Sequence, residues 1–129
     1  MYPINRAIMM FPVLFAMATT ACADRSQDIE TCMTYPKNVN EAIAACTRLI
    51  DDPPAMDVAR HGWFAARGNH RRKAGDQKGA MADFDEAIRL MPKDPQLYAM
   101  RAEFHAELGH AAKADADLKR AAQLRAKNP

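Results

Sequence analysis

The stretch ADFDEAIRLMPKDP, residues 82–95, places its alanine, phenylalanine and isoleucine side chains on one helical face and ends at a proline. A weaker copy of the same pattern, ADLKRAAQLRAKNP, follows at 116–129, which is an offset of 34 positions. Apolar residues that recur at helical spacing mark the buried face of an amphipathic helix. A pattern that returns at a fixed interval of this length predicts a repeated structural unit.

The repeat extends well beyond these two stretches. When residues 61–94 are compared with residues 95–128, identical residues recur at Ala65/Ala99, Arg67/Arg101, Gly75/Gly109, Ala80/Ala114, Ala82/Ala116, Asp83/Asp117, Ala87/Ala121, Leu90/Leu124 and Lys93/Lys127. Aromatic or apolar partners also fall at Phe64/Tyr98 and Phe84/Leu118. Because arginine and aspartate recur together, we predict an ion pair between the two helices of each unit, Arg67 with Asp83 and Arg101 with Asp117.

Helix signals fill the chain after residue 24, and no stretch alternates with the period of two that marks a half-buried strand. Glycine and proline residues separate the helical segments, as residues that interrupt helices should. We predict helices at about 25–35, 40–51, 57–74, 77–91, 95–108 and 111–126. The turns between them are short, so the predicted fold is all-α, with about three antiparallel helix pairs.

Residues 1–23 have the pattern of a secretory signal peptide. Arg6 supplies a positive charge, residues 7–18 are apolar, and Ala21-Cys22-Ala23 forms an A-x-A cleavage site. The apolar run is shorter than the about 20 residues that a membrane-spanning helix needs. We expect cleavage after Ala23 and a periplasmic or secreted protein. Lipidation of Cys22 and an uncleaved leader are the alternatives. Against lipidation, Thr19 stands where a lipoprotein signal usually has an aliphatic residue.

Export would leave two cysteines, Cys32 and Cys46, in the mature chain. Paired cysteines in an oxidising compartment are more often bridged than free. Both lie on the apolar faces of neighbouring predicted helices, so we predict a disulfide between them. Their spacing is not that of a C-x-x-C motif, and no nearby histidine completes a metal site, so no metal or cofactor is expected.

Composition and motifs argue against several classes of function. The net charge is +2, and Arg6 is the one charged residue of the predicted leader, so the mature chain is close to neutral. A general nucleic-acid binder would carry a basic excess, and a neutral domain has no electrostatic attraction to a membrane. The chain also lacks the G-x-S-x-G, H-E-x-x-H and phosphate-loop motifs. We therefore expect no enzymatic activity. We also expect the histidines at positions 61, 70, 105 and 110 to lie on the surface.

These features resemble the tetratricopeptide repeat, a helix–turn–helix unit of about 34 residues. The family pattern of aromatic, glycine, alanine, phenylalanine, alanine and proline is matched by Phe64, Gly68, Ala80, Phe84, Ala87 and Pro92. The second unit matches with Tyr98, Ala102, Ala114, Leu118 and Ala121 but lacks the closing proline. Both units also have an arginine, Arg67 or Arg101, where the family has leucine.

The resemblance implies a short right-handed α-solenoid of about three antiparallel helix pairs, in which residues 57–129 hold two repeats, at 61–94 and 95–128. Residues 24–56 resemble the cysteine-containing N-terminal cap of exported bacterial members of the family. For function, the resemblance implies a scaffold that binds another protein or a peptide and has no catalytic activity. A small exported hydrolase and a self-associating structural module are the alternatives.

In this family the first helices of the units line a concave groove. The inner positions would be Ala65, Asn69, Arg72, Lys73, Ala99, Glu103, Ala106 and Glu107. Positive charge in the first unit and negative charge in the second would suit a segment with an acidic part followed by a basic part. The alternative is that these charges only keep the surface soluble.

Overall fold

The computed structural model describes residues 24–34, 37–52 and 57–127, so the predicted leader at 1–23 and its cleavage site lie outside the described residues. The helices are α1 (24–33), α2 (Val39–Asp51), α3 (Asp57–Lys73), α4 (Gln77–Leu90), α5 (Pro95–Glu107) and α6 (Ala111–Lys127). The described ranges contain no strand, and the predicted helix ends differ from these by at most two residues. The all-α prediction is confirmed. None of the described helices is long and apolar enough to cross a membrane.

Local interactions explain where the helices begin and where the turns between them lie. The side chains of Asn38, Asp76 and Asp94 accept backbone N–H groups in the first turns of α2, α4 and α5. These caps satisfy donors that have no partner inside the helix. Gly75 and Gly109 follow α3 and α5 with φ angles of 82° and 75°, a left-handed conformation that glycine adopts without strain. The two glycines therefore fix equivalent turns, one in each repeat.

The helices α3 and α4 run antiparallel and approach closely. Arg67 binds Asp83, whereas Arg71 reaches the carbonyl oxygen of Gly79. The residue numbers therefore increase along α3 as those of the contacting residues decrease along α4. The approach is closest at Gly68, where a Cβ atom would lie 3.1 Å from Cε1 of Phe84. A small residue at this position therefore sets the distance between the two helices.

Two apolar clusters hold the helices together. The larger cluster joins the cysteines of α1 and α2 to Leu49, Ile50, Trp63, Phe64, Ala65, Ala87 and Leu97. The smaller cluster joins Ala80 and Phe84 of α4 to Phe104 of α5, with the two rings 5.9 Å apart between centroids. The first cluster fastens α1 and α2 to the repeat region, and the second fastens one repeat to the next.

The prediction that all four histidines lie on the surface is wrong for His70 and His105, which are 3% and 8% exposed. Nε2 of His70 lies 2.8 Å from the carbonyl oxygen of Cys32, so this histidine links α3 to the end of α1. The ring of His105 lies against that of His110, with the centroids 5.7 Å apart. The burial of both rings depends on neighbouring helices, which helical spacing alone does not reveal.

Two glycines of α3 should respond in opposite ways to the same substitution. Gly62→Ala should raise the free energy of unfolding by about 0.5–1 kcal/mol, because alanine favours the helix and its Cβ would have no heavy atom within 4 Å. Gly68→Ala should lower it by about 1 kcal/mol, because the new Cβ would press on the ring of Phe84 and the carbonyl oxygen of Ala80. Urea unfolding of both variants beside the parent chain measures the two effects. A shift of both midpoints in the same direction would contradict this account of helix packing.

Candidate functional site

The N-terminal helix α1 is fastened to the rest of the fold at several points. Cys32 and Cys46, both fully buried, form the predicted disulfide between α1 and α2, with their Cα atoms 4.9 Å apart. Ion pairs of Arg48 with Asp28 and of Arg25 with Asp52 add polar links. The hydrogen bond from the Arg48 guanidinium lowers the pKa of the Asp28 carboxyl. These contacts fasten α1 to α2, and the hydrogen bond between His70 and the carbonyl oxygen of Cys32 places the end of α1 beside α3.

This arrangement produces a cleft of about 290 Å³ between the end of α1, the middle of α3 and the start of α5. We call it the α1–α3–α5 cleft. Its apolar lining comes from Met33, Ala65, Ala66, Leu97 and Met100. Leu97 and Ala65 are buried, whereas Met33 is 56% exposed, so the lining extends from the core to the surface. A cleft whose apolar lining extends from the core to the surface suits the insertion of a large apolar side chain.

Polar side chains also line the α1–α3–α5 cleft. Nε2 of His61 lies 4.0 Å from Oδ2 of Asp94, while Oδ1 of Asp94 caps α5. The amide groups of Asn69 and Gln96 are the other polar groups of note. Each amide offers both donors and an acceptor, which is the chemistry needed to hydrogen-bond a peptide backbone.

The structure brings only some of the predicted groove residues to this cleft. Ala65 and Asn69 line it, and Ala65 is more deeply buried than an open groove position would be, at 6% exposure. Ala99 is half-buried, and Lys73 and Ala106 are exposed, but none of the three is among the residues that line the cleft. The predicted groove therefore contributes its first two positions to the cleft.

The remaining predicted groove residues are brought together by their own charges. Nη1 of Arg72, on α3, lies 3.3 Å from Oε2 of Glu103, and Nε of Arg72 lies 3.5 Å from Oε2 of Glu107; both glutamates are on α5. The prediction treated these positive and negative charges as partners for the two ends of a bound segment. In the structure they pair across the two helices, which joins the first helix of one repeat to that of the next.

Sequence reasoning missed most of the cleft residues. On α3 a signal was present, because positions 62, 65, 66 and 69 follow i, i+3, i+4, i+7 spacing. This pattern begins at Gly62, which has no side chain and therefore gives no sign that these positions share one face of the helix. The contributions of α1 and α5, such as Met33 and Gln96, depend on tertiary contacts that this spacing does not contain.

The predicted ion pair within each repeat is confirmed. Nε and Nη2 of Arg67 donate to the two carboxylate oxygens of Asp83 at 3.0 and 2.8 Å. Arg101 makes the same pair of bonds to Asp117, both at 2.8 Å. Hydrogen bonds to Asp117 and Asp85 raise the pKa of the Arg101 guanidinium. Arg67 and Arg101 thus fix the register of the two helices of each unit.

In the part of the chain that the structure describes, no three histidine, cysteine, aspartate or glutamate residues are placed to hold a metal ion. Compared with the models of known protein families, the sequence matches none, and no curated protein is significantly similar to it.

Proposed function

We propose that this chain is an exported scaffold that binds a segment of another protein, without catalysis, in the α1–α3–α5 cleft. The observation that carries the proposal is the apolar lining of this cleft between α3 and α5, the first helices of the two repeats. Amide groups of Asn69 and Gln96 beside that lining could hold the backbone of the bound segment. The cleft lies at the lower end of the size range of ligand pockets, about 300–1,000 Å³, so we expect it to accept one large apolar side chain.

The proposal includes a tetratricopeptide-like, right-handed solenoid for the two repeats at 61–94 and 95–128. Its support is the recurrence of the same contacts one repeat apart. Bidentate arginine–aspartate pairs, glycine turns and a small residue at the helix crossing all return at the equivalent positions of the second unit. The contact between Phe84 and Phe104 then continues the packing from one unit into the next.

The proposal also includes export, with residues 24–56 acting as an N-terminal cap and the leader removed after Ala23. A buried disulfide between α1 and α2 supports this location, because such bonds persist in oxidising compartments. A terminal unit of a solenoid has only one neighbour and needs another means of stabilisation. The disulfide is suited to that role.

Hydrolysis is the rival function, and the chemistry of the cleft favours binding over it. The histidine and carboxylate of the cleft, His61 and Asp94, would need a nearby nucleophile to form a catalytic set. The hydroxyl group of Thr34 donates to the carbonyl oxygen of Glu30 at 2.8 Å, and Cys32 is held in the disulfide. Both of these candidate nucleophiles are therefore already engaged.

The proposed site can be tested by filling it from Gly62. A Cβ at Gly62 would have no heavy atom within 4 Å, so Gly62→Trp can place its ring in the cleft without displacing backbone. We expect this variant to lose at least about tenfold in affinity for the bound segment, as is typical when a central contact is removed. Gly62→Ala, which keeps the cleft open, is the matched control and should bind as the parent chain does.

The segment itself can be found with a photo-crosslinking residue at Gln96, beside the cleft, and at the exposed Gln123 of α6 as a control. Crosslinking in the producing cells and mass spectrometry should recover one protein segment from position 96, and titration of that peptide gives the affinities. The proposal would be wrong if the crosslinks from position 96 persist in Gly62→Trp or if position 123 captures the same segment.

A further inference from the structure

A second cleft, of about 380 Å³, lies between α4 of the first repeat and α5 and α6 of the second. We call it the α4–α5–α6 cleft. Its charged and titratable lining residues are Asp85 of α4, Arg101 and His105 of α5, and Lys113 and Asp117 of α6. None of the residues that line this cleft lines the α1–α3–α5 cleft, although α5 contributes to both. The internal repeat makes it possible to ask what occupies the equivalent place one unit earlier.

In the first repeat, the equivalent of His105 is Arg71, which lies 34 positions earlier. Nη1 of Arg71 donates to Oδ2 of Asp83 at 2.8 Å and lies 3.5 Å from the carbonyl oxygen of Gly79. Asp83 thus accepts N–H groups from two arginines, since Arg67 also binds it. A guanidinium group therefore fills this place in the first repeat.

In the second repeat, the shorter side chain of His105 leaves open the place beside the carboxylate that the Arg71 guanidinium fills in the first repeat. The donors that reach Asp117 within the described part of the chain both belong to Arg101. Nδ1 of His105 is buried and has no hydrogen-bond partner among the described residues. The Asp117 side chain is 10% exposed, compared with 3% for Asp83. The Asp117 carboxylate is thus more exposed than the Asp83 carboxylate and accepts one hydrogen bond fewer.

His105 does not replace the charge of Arg71 either. Burial lowers the pKa of His105, and this effect outweighs the attraction of Asp117. The imidazole is therefore neutral near neutral pH, where an ordinary histidine is already mostly uncharged. The cleft thus keeps the carboxylate acceptor of the first repeat but has no second guanidinium bound to it.

We propose that the α4–α5–α6 cleft binds the guanidinium group of an arginine side chain that another protein presents. The bound group would donate to Asp117 as Arg71 donates to Asp83. Asp85 already accepts an N–H group of Arg101 through Oδ1, but its side chain is 56% exposed, so its remaining acceptor positions face the cleft entrance as a further carboxylate. A planar guanidinium is the cation best matched to carboxylate oxygens. Arg101 and Lys113 also face the cleft, so the charges of these four residues sum to zero and a dissociation constant in the millimolar range is expected.

Titration of the disulfide-bonded chain with N-acetyl-arginine amide, followed by NMR, tests the proposal. We expect saturable shifts of the backbone signals around His105, Lys113 and Asp117. The N-acetyl amide of lysine should bind less tightly, and that of citrulline, which has the same shape without the charge, should not saturate. Equal binding of the citrulline compound would overturn the proposal. Tighter binding of free arginine would assign the cleft to a small molecule and overturn the role of a protein partner.

The repeat also supplies reciprocal variants. His105→Arg should fill the cleft as Arg71 fills its counterpart, and should abolish the shifts. Arg71→His should create a second responsive site around Asp83 while the first one remains. Undiminished binding in His105→Arg would refute the proposal even if Arg71→His does not fold.

A third comparison tests the charge balance of the cleft. Removal of the cation in Lys113→Ala should tighten binding by about 2- to 5-fold, the effect of one like charge near the surface. Lys127→Ala removes a cation at the end of α6, outside the lining of the cleft, and should leave binding unchanged. Equal affinities of the two variants would count against Asp117 and its neighbours as the site. Because this cleft shares no lining residue with the α1–α3–α5 cleft, its failure would leave the proposed function untouched.

Discussion

Replacing both Cys32 and Cys46 with alanine should lower the free energy of unfolding by about 3 kcal/mol. The disulfide joins residues 14 positions apart, and closure of a loop of about this length constrains the unfolded chain by about that amount. This is a large share of the roughly 5–15 kcal/mol that stabilises an ordinary domain. Urea unfolding at equilibrium, monitored by helical circular dichroism, measures the loss.

A reducing agent provides the matched control for this experiment. It should lower the unfolding midpoint of the parent chain and leave that of the double variant unchanged, because the variant has no bond to reduce. Thiol labelling gives an independent reading, since neither cysteine of the unreduced, folded chain should react. Labelling of both cysteines in that state would contradict the disulfide itself.

Loss of the disulfide should also disturb the α1–α3–α5 cleft, because Cys32 and Met33 of α1, with Thr34 directly after it, line one side of the cleft. The hydrogen bond between His70 and the carbonyl oxygen of Cys32 would then depend on the polar contacts of α1 alone. We expect amide hydrogen exchange in residues 24–33 to accelerate more than in α4 or α5. Segment binding should weaken together with this local opening.

The sequence predicts the helices and the disulfide well because their signals are local. Proline and glycine mark the ends of the helices, and Cys32 and Cys46 lie on apolar faces of adjacent helices. The pairing of Arg67 with Asp83 was also predictable, because the same two residue types return together one repeat later. A repeat thus works as an internal comparison that reveals contacts between helices.

The cleft and the buried histidines were harder to predict because they depend on how separate helices meet. His70 is buried by the end of α1, and nothing in its own helix identifies the carbonyl oxygen of Cys32 as its partner. Arg72, Glu103 and Glu107 illustrate a different difficulty, since opposite charges 31 and 35 positions apart pair with each other across adjacent helices. Their signs suggested a charged ligand, whereas the geometry shows that Arg72 pairs with both glutamates within the chain.

The second large effect is expected at Asp83. Its carboxylate accepts two N–H groups from Arg67 and one from Arg71, and the side chains of Asp83 and Arg67 are only 3% and 11% exposed. Asp83→Ala would leave a mostly buried guanidinium without its carboxylate. Removing one partner of such a pair costs about 3–5 kcal/mol, much more than the pair contributes relative to apolar residues. We therefore expect a loss of unfolding free energy in this range.

The equivalent residue of the second repeat is the matched control for this prediction. Asp117→Ala should cost less, about 1–2 kcal/mol, because Arg101 is more exposed, at 21%, and keeps Asp85 as a partner at 2.6 Å. Adding Arg67→Met to Asp83→Ala should recover part of the larger loss, since the variant then has no unpaired cation at position 67. Urea unfolding of the four proteins measures these differences. Equal losses at Asp83 and Asp117, or no recovery in the double variant, would show that burial of the charge does not control the stability of the repeat.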